Sequence, residues 1–156
     1  MILLLFSLLI SGQDGYKAML KTLYEGTVPV INTAEFKTLN NDPVILDTRS
    51  KKEYDVSHLD NARYINYDNF NLSEVSDIPK DKTIVVYCSV GYRSEKVGEK
   101  LLKAGYKNVH NLYGGIFQWV NEGRSVVNNH GVKTDSVHTY NKEWSVWLHK
   151  GVKVYE

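Results

Sequence analysis

Cysteine is almost absent from this chain. Cys88 stands alone among 156 residues, so no disulfide can form within the chain. With one thiol, a structural zinc site is disfavoured, and His58, His110, His130, His138 and His149 show no paired ligand spacing. No metal and no cofactor is implied. Charge of one sign is also lacking: Lys+Arg is 19 against Asp+Glu 18, a net charge of +1. That balance does not supply the basic face on which nucleic-acid binding rests, so no nucleic-acid partner is expected. Glycine (11) and proline (3) are sparse, and no repeat, low-complexity tract or Walker-type phosphate loop is found. What remains is 42% hydrophobic and 24% charged, the composition of one folded domain and not of a disordered chain.

The longest apolar run is MILLLFSLLI at residues 1–10, interrupted by Ser7. As a helix it would extend about 15 Å, roughly half of a bilayer core, so it provides no stable membrane anchor. It reads as the apolar region of a secretory signal peptide, with Ser11 and Gly12 near a cleavage point. Residues 1–12 are therefore expected to direct export, to the periplasm, with a cytoplasmic location as the alternative. No Lys or Arg precedes the run. A misassigned start and a buried helical turn are the competing explanations.

Tyr16, Met19, Leu20, Leu23 and Tyr24 recur at helical spacing before Gly26, which predicts a lead helix within residues 13–27. Asn32 to Glu35 and Ser50 to Glu53 have the form of capping boxes, each opening a helix. Residues 41–43 read as a turn. Val44 to Asp47 is a short apolar strand ending in a carboxylate, residues 62–65 form a weaker one, and 68–77 a polar loop with at most one helical turn. Thr83 to Tyr87 is the strongest β run. A helix follows from Ser94 to Gly105, then a strand from Val109 to Leu112. Gly114-Gly115 turns into a helix bearing Ile116, Phe117, Trp119 and Val120. Short buried strands alternating with helices indicate an α/β domain with a mainly parallel sheet, where ligands gather at the carboxyl ends of strands.

Cys88 occupies such an end. The segment Cys88-Ser89-Val90-Gly91-Tyr92-Arg93 joins the strongest strand to a helix start. Unpaired N–H groups at that helix start, a loop that Gly91 lets turn inward, and the charge of Arg93 all favour a thiolate over a thiol. They would equally hold the charged terminal sulfur of a persulfide. A free cysteine is often an inert core residue, but here its neighbours make it the candidate nucleophile.

At this point the chain resembles the single-domain rhodaneses, the thiosulfate sulfurtransferase-like family. The resemblance covers about residues 28–127. It is carried by VILDTRSKKEYDVSHLDNARYIN (44–66) and IVVYCSVGYRSEKVGEKLLKAGYKNVHNLYGGIFQWVNEG (84–123), with D-x-R, E-Y-x(3)-H, C-x-x-G-x-R-S and G-G-x-x-x-W in that order. It implies a three-layer α/β/α fold with a five-stranded, mainly parallel sheet. It also implies sulfur transfer in which Cys88 takes a sulfane sulfur from thiosulfate or a persulfide and passes it to cyanide or a thiol. The donor and acceptor would be small molecules, with a protein donor as a further candidate. In that scheme the loop Ser89, Val90, Gly91, Tyr92, Arg93 and Ser94 binds the persulfide. Arg93 orients the loop or contacts the donor as the pocket's cation. Asp47 accepts hydrogen bonds from the loop or pairs with Arg93. Arg49 binds Glu53 or faces the pocket.

Two glycines of the family's G-H-I-x-G-A are replaced in Ser57-His-Leu-Asp-Asn-Ala62, and His58 is expected to hold that turn. Ser89 and Val90 stand where many active members carry a basic residue. Thiosulfate should then be steered less strongly. The C-x(4)-R spacing is one residue shorter than the C-x(5)-R of thiol phosphatases and arsenate reductases on the same fold. A phosphate should not fit it. A non-catalytic sulfur carrier or binding module is the main alternative. Residues 128–156 lie outside the resemblance. Trp144, Trp147 and Leu148, with Asn141 as a cap, predict a C-terminal helix packed on the domain, with the lead helix as a candidate partner. A docking patch for a sulfur donor or a second subunit is the sharper reading of the same residues, and Val152 to Tyr155 an edge strand or a tail.

Overall fold

The computed structural model describes residues 12–40 and 42–155. The expected export segment, up to Ser11, and Asn41 of the expected turn lie outside them. Gly12, placed next to the cleavage point, opens helix α1 (Gly12–Leu23), in which Tyr16 and Leu20 are buried. There follow β1 (Val30–Ile31), α2 (Thr33–Phe36), β2 (Val44–Asp47), α3 (Lys51–Val56) and β3 (Arg63–Tyr64). Next come β4 (Thr83–Tyr87), α4 (Tyr92–Lys103), β5 (Asn108–Leu112) and α5 (Gly115–Asn121). Both expected capping boxes form: Asn32 caps α2 with Glu35 reaching back, and Ser50 caps α3 with Glu53 reaching back. A third, Asn71 with Glu74, opens a single 3-10 turn in the segment read as loop.

The central sheet is parallel in the order β1-β5-β4-β2-β3. Strand β4 lies in the middle, which explains its unbroken β-branched run: both of its faces are covered. Val85 and Tyr87 pack on one face with Tyr16, Leu20, Ile116 and Phe117. Ile84 and Val86 pack on the other with Val97 and Leu101 of α4. Helices α1 and α5 thus cover one side and α4 the other, giving the three layers. At the β2–β4 register, Asp47 lies opposite Tyr87, so Cys88 emerges beside the end of β2.

The two replaced glycines are accommodated for different reasons. Ser57 is extended (φ −167°), a conformation any residue adopts. Asn61 has φ 60°, a left-handed conformation that asparagine tolerates better than other side chains. His58 does hold the turn: its Nδ1 lies 2.9 Å from the Tyr54 carbonyl, and its ring stacks on Tyr54 at 3.8 Å.

The C-terminal segment corrects the sequence reading. No long helix forms over 144–148. Trp144–Trp147 is one 3-10 turn, with the Asn141 side chain accepting from the Trp144 N–H at 2.9 Å, and Leu148 returns to extended backbone. The chain instead builds short strands: β6 (Val126–Val127) pairs with β7 (Lys133–Thr134), and β8 (Ser136–His138) with β9 (Val152–Val154). A stripe of five residues is too short to sustain a helix against such pairing. The packing partner is α1: Tyr16 stacks on Trp147 with ring centroids 5.8 Å apart. Among the described residues, no helix is long and apolar enough to cross a membrane.

Candidate active site

Cys88 is almost wholly buried, yet its side chain reaches a pocket of about 470 Å³. The loop around it is set by what holds its carbonyl groups. Cys88 O accepts from the Ile116 N–H (3.0 Å) and Ser89 O from the Phe117 N–H (3.2 Å), both in the first turn of α5. Val90 O accepts from the Tyr24 hydroxyl at 2.6 Å. Gly91 O accepts from the Asn111 side-chain amide (2.9 Å) and the Glu95 N–H (3.1 Å). In a trans peptide the N–H points opposite to the C=O. The N–H groups of the following residues, Ser89 to Tyr92, therefore face away from these partners. One of them lands on sulfur: the Gly91 N–H donates to Cys88 Sγ at 3.0 Å.

Two glycines make this possible. Gly91 has φ 113°, and a Cβ there would lie 2.2 Å from the Tyr24 hydroxyl oxygen. Gly115 has φ 56°, and a Cβ there would lie 2.3 Å from Cys88 O. The G-G element is therefore more than a turn, since it lets α5 approach the cysteine peptide closely. Tyr24 is the second support. It donates to Val90 O and accepts from the Gly114 N–H at 2.8 Å, so it pins the loop to the turn before α5. Burial pushes its hydroxyl well above the ordinary tyrosine range, which keeps the donor proton in place.

The expected loop residues divide. Ser89, Val90, Tyr92 and Arg93 line the pocket with Cys88. Ser94 does not: it is fully buried and donates to Asn111 Oδ1 at 2.7 Å, supporting the amide that holds Gly91 O from below. Helix α4 also starts at Tyr92 and not at Ser94, because left-handed Gly91 is its cap residue. Arg93 orients the loop. Its guanidinium donates twice to Glu53, at 2.9 and 2.7 Å, and to Ser89 Oγ at 3.1 Å. Ser89 Oγ itself donates to Glu53 Oε1 at 3.0 Å. Arg93 is the pocket's cation among the described lining residues, as expected, but its charge is matched by a carboxylate 1% exposed. For that carboxylate, burial opposes ionisation. The hydrogen bonds and charge of Arg93, with Arg49 and the Ser50 N–H, outweigh it and hold Glu53 at about 2.

Asp47 and Arg49 are corrected too. Asp47 touches neither the loop nor Arg93. It accepts from Arg49 Nε (2.9 Å) and Nη2 (2.6 Å) and from the Tyr87 hydroxyl (2.6 Å). Arg49 is fully buried, donates to Ser57 O at 2.6 Å, and neither bonds Glu53 nor faces the pocket. The reason is register: the strand pairing that sets Asp47 opposite Tyr87 directs its carboxylate beneath the loop, and Arg49, two residues on, folds back over it. This pair braces the strand ends beneath Cys88.

Sequence reasoning missed Glu53, Tyr24, Asn111 and much of the pocket wall. Glu53 was visible as a capping residue, and its E-Y-x(3)-H setting was the available signal. Tyr24 and Asn111 act at long range and carried none. Leu23, Tyr67, Asp68, Tyr140 and Trp144 complete the lining. Tyr140, itself left-handed at φ 68°, lies over the Arg93 guanidinium at 5.4 Å. Among the described residues no group of His, Cys, Asp and Glu is placed to hold a metal ion.

A parallel sheet whose middle strand delivers a cysteine into a loop wrapped against two helix starts is the architecture of sulfurtransferase-type α/β domains. Comparison with known proteins specifies the family. The model of the rhodanese-like domain matches residues 32–122. A solved rhodanese-related protein from Thermoplasma volcanium is 30% identical, with a TM-score of 0.56 over 64% of this chain and 97% of that one. The chain belongs to the rhodanese-like domain family. The thiosulfate sulfurtransferase of Pseudomonas aeruginosa shares the fold (TM-score 0.61, 22% identity, 75% of this chain and 23% of that one). Among curated proteins, the tRNA uridine(34) hydroxylase of Photorhabdus laumondii is 37% identical over 90 residues, 54% of this chain and 26% of that protein. The chain therefore spans about a quarter of that relative.

Proposed function

We propose that the protein is a sulfurtransferase that moves a sulfane sulfur from thiosulfate or a persulfide donor to a thiophilic acceptor through a persulfide on Cys88. The observation that carries this reading is the Gly91 N–H directed at Sγ at 3.0 Å from a loop whose carbonyls are all engaged elsewhere. Such a loop stabilises an anionic sulfur with dipoles already in position, so little reorganisation is needed when charge moves from Sγ to the added atom. The thiolate attacks the outer sulfur of the donor, the S–S bond breaks, and the leaving group departs with the electron pair. The acceptor then removes that sulfur and restores the thiolate. Arg93, fixed by Glu53, positions the loop. The hydroxylation named for the tRNA-acting relatives belongs to proteins far longer than this chain, and the cysteine loop is the chemistry that this chain's own residues support.

The test is thiocyanate formation on mixing donor and cyanide, abolished by Cys88→Ser. Failure with thiosulfate, an aryl thiosulfonate and an organic persulfide alike would overturn the reading. Export belongs to the same proposal, supported by the apolar run at residues 1–10. The N-terminal sequence of the native protein tests it: loss of that run supports export, its retention refutes it.

A further inference from the structure

The pocket above Cys88 offers little unpaired positive charge to thiosulfate, a dianion. Arg93 is the cation among its described lining residues, and two hydrogen bonds to Glu53 occupy it. Asp68, exposed at the rim, adds a carboxylate. The rest of the wall is apolar or aromatic: Leu23, Tyr67, Tyr92, Tyr140 and Trp144. Leu23, Tyr140 and Trp144 lie outside the family match at 32–122, so these walls come from the lead helix and the C-terminal segment, not from the shared domain. A dianion entering here gives up water without gaining an unpaired cation and passes a like charge at the rim. An organic body gains burial against the aromatic wall. A volume of about 470 Å³ is that of a small-molecule site.

We propose that the donor for Cys88 is a small organic hydropersulfide, R–S–SH, with an aryl or branched alkyl body that carries no charged group, and that the pocket selects it over thiosulfate. This rests on the Cys88 transfer reading. The step balances: the Cys88 thiolate attacks the terminal sulfur of R–S–SH, the S–S bond breaks, and the electron pair leaves on R–S⁻. The proton passes to that thiolate, so thiolate plus hydropersulfide become Cys88–S–S⁻ plus R–SH. No other reactant is required. Tyr140 and Trp144 are the specificity-determining residues, and Asp68 discriminates against anions.

The experiment compares kcat/KM for benzyl persulfide, methyl persulfide and thiosulfate, with cyanide as common acceptor, in the full chain. The benzyl-to-methyl ratio is expected to be about tenfold or more and to collapse toward unity in Trp144→Ala. The thiosulfate-to-methyl ratio should rise several-fold in Asp68→Asn. Tyr140→Ser, at a residue 57% exposed, is the second variant should Trp144→Ala fail to fold, with the same expected collapse. A benzyl-to-methyl ratio near one, or a higher kcat/KM for thiosulfate than for benzyl persulfide, overturns the proposal while leaving sulfur transfer intact. Absence of any sulfur gain on Cys88 with all three donors overturns the transfer reading and this proposal together.

Discussion

Glu53→Gln should weaken the fold and at the same time improve the enzyme toward thiosulfate. Glu53 is 1% exposed and receives Arg93 at 2.7 and 2.9 Å, Ser89 Oγ at 3.0 Å and the Ser50 N–H at 3.0 Å. Its carboxyl lies at about 2 in place of the ordinary 4.5. At 1.36 kcal/mol per tenfold, that difference corresponds to about 3 kcal/mol of stability. Removing one member of a buried pair costs roughly 3–5 kcal/mol. Glutamine keeps the shape and an accepting oxygen, and the Arg93 side chain retains 19% exposure, so about 2–3 kcal/mol is the expected loss near neutral pH. The melting temperature should fall by roughly 4–12 °C. The sign of the pH dependence follows from a depressed carboxyl. The Glu53 contribution is complete above 4.5 and lost as pH falls toward 2, so wild type and variant should converge in urea melts taken through that range. The freed Arg93 charge should then lower the KM for thiosulfate several-fold, measured per folded molecule. Equal stability at neutral pH, a gap that persists on acidification, or an unchanged thiosulfate KM would refute the claim that this carboxylate neutralises Arg93.

Three other substitutions probe the supports of the loop. Tyr24→Phe strips the donor from Val90 O and the acceptor from the Gly114 N–H; urea melts should show a loss of about 2 kcal/mol, and sulfur loading followed by stopped flow should slow about tenfold. Gly115→Ala places a methyl 2.3 Å from Cys88 O at φ 56°, costing about 1–3 kcal/mol from backbone strain alone, and loading on Cys88 should fail at temperatures where circular dichroism still reports a fold. Asp47→Asn leaves Arg49 buried beside a neutral partner; stability should drop by about 3 kcal/mol in thermal melts, whereas a direct role at the pocket would show as a changed donor KM, which is not expected.

Much of the fold could be read from local chemistry. The capping boxes at Asn32 and Ser50, the β-branched run of β4 and the Gly114-Gly115 turn are short-range signals, and each forms where its residues placed it. Cys88 at a strand end was legible for the same reason. What failed depended on partners distant in sequence. Arg93 and Glu53 are 40 residues apart, Tyr24 and Val90 are 66 apart, and no local pattern encodes either contact. Asp47 and Arg49 were assigned to the pocket because they close a strand, but register turned both beneath it. The Trp144, Trp147 and Leu148 spacing was a helical signal too brief to prevail over pairing of Val152 with Ser136. Its outcome mattered for the site, since the resulting turn brings Trp144 to the pocket wall.

Intact mass spectrometry of the protein after exposure to a persulfide donor asks the central question directly: whether the loop that directs the Gly91 N–H at Cys88 Sγ carries a sulfur atom there. The expected result is a gain of one sulfur mapped to Cys88, released by cyanide and absent from Cys88→Ser. An unchanged mass in the folded wild type, or a gain that survives Cys88→Ser, would contradict the account.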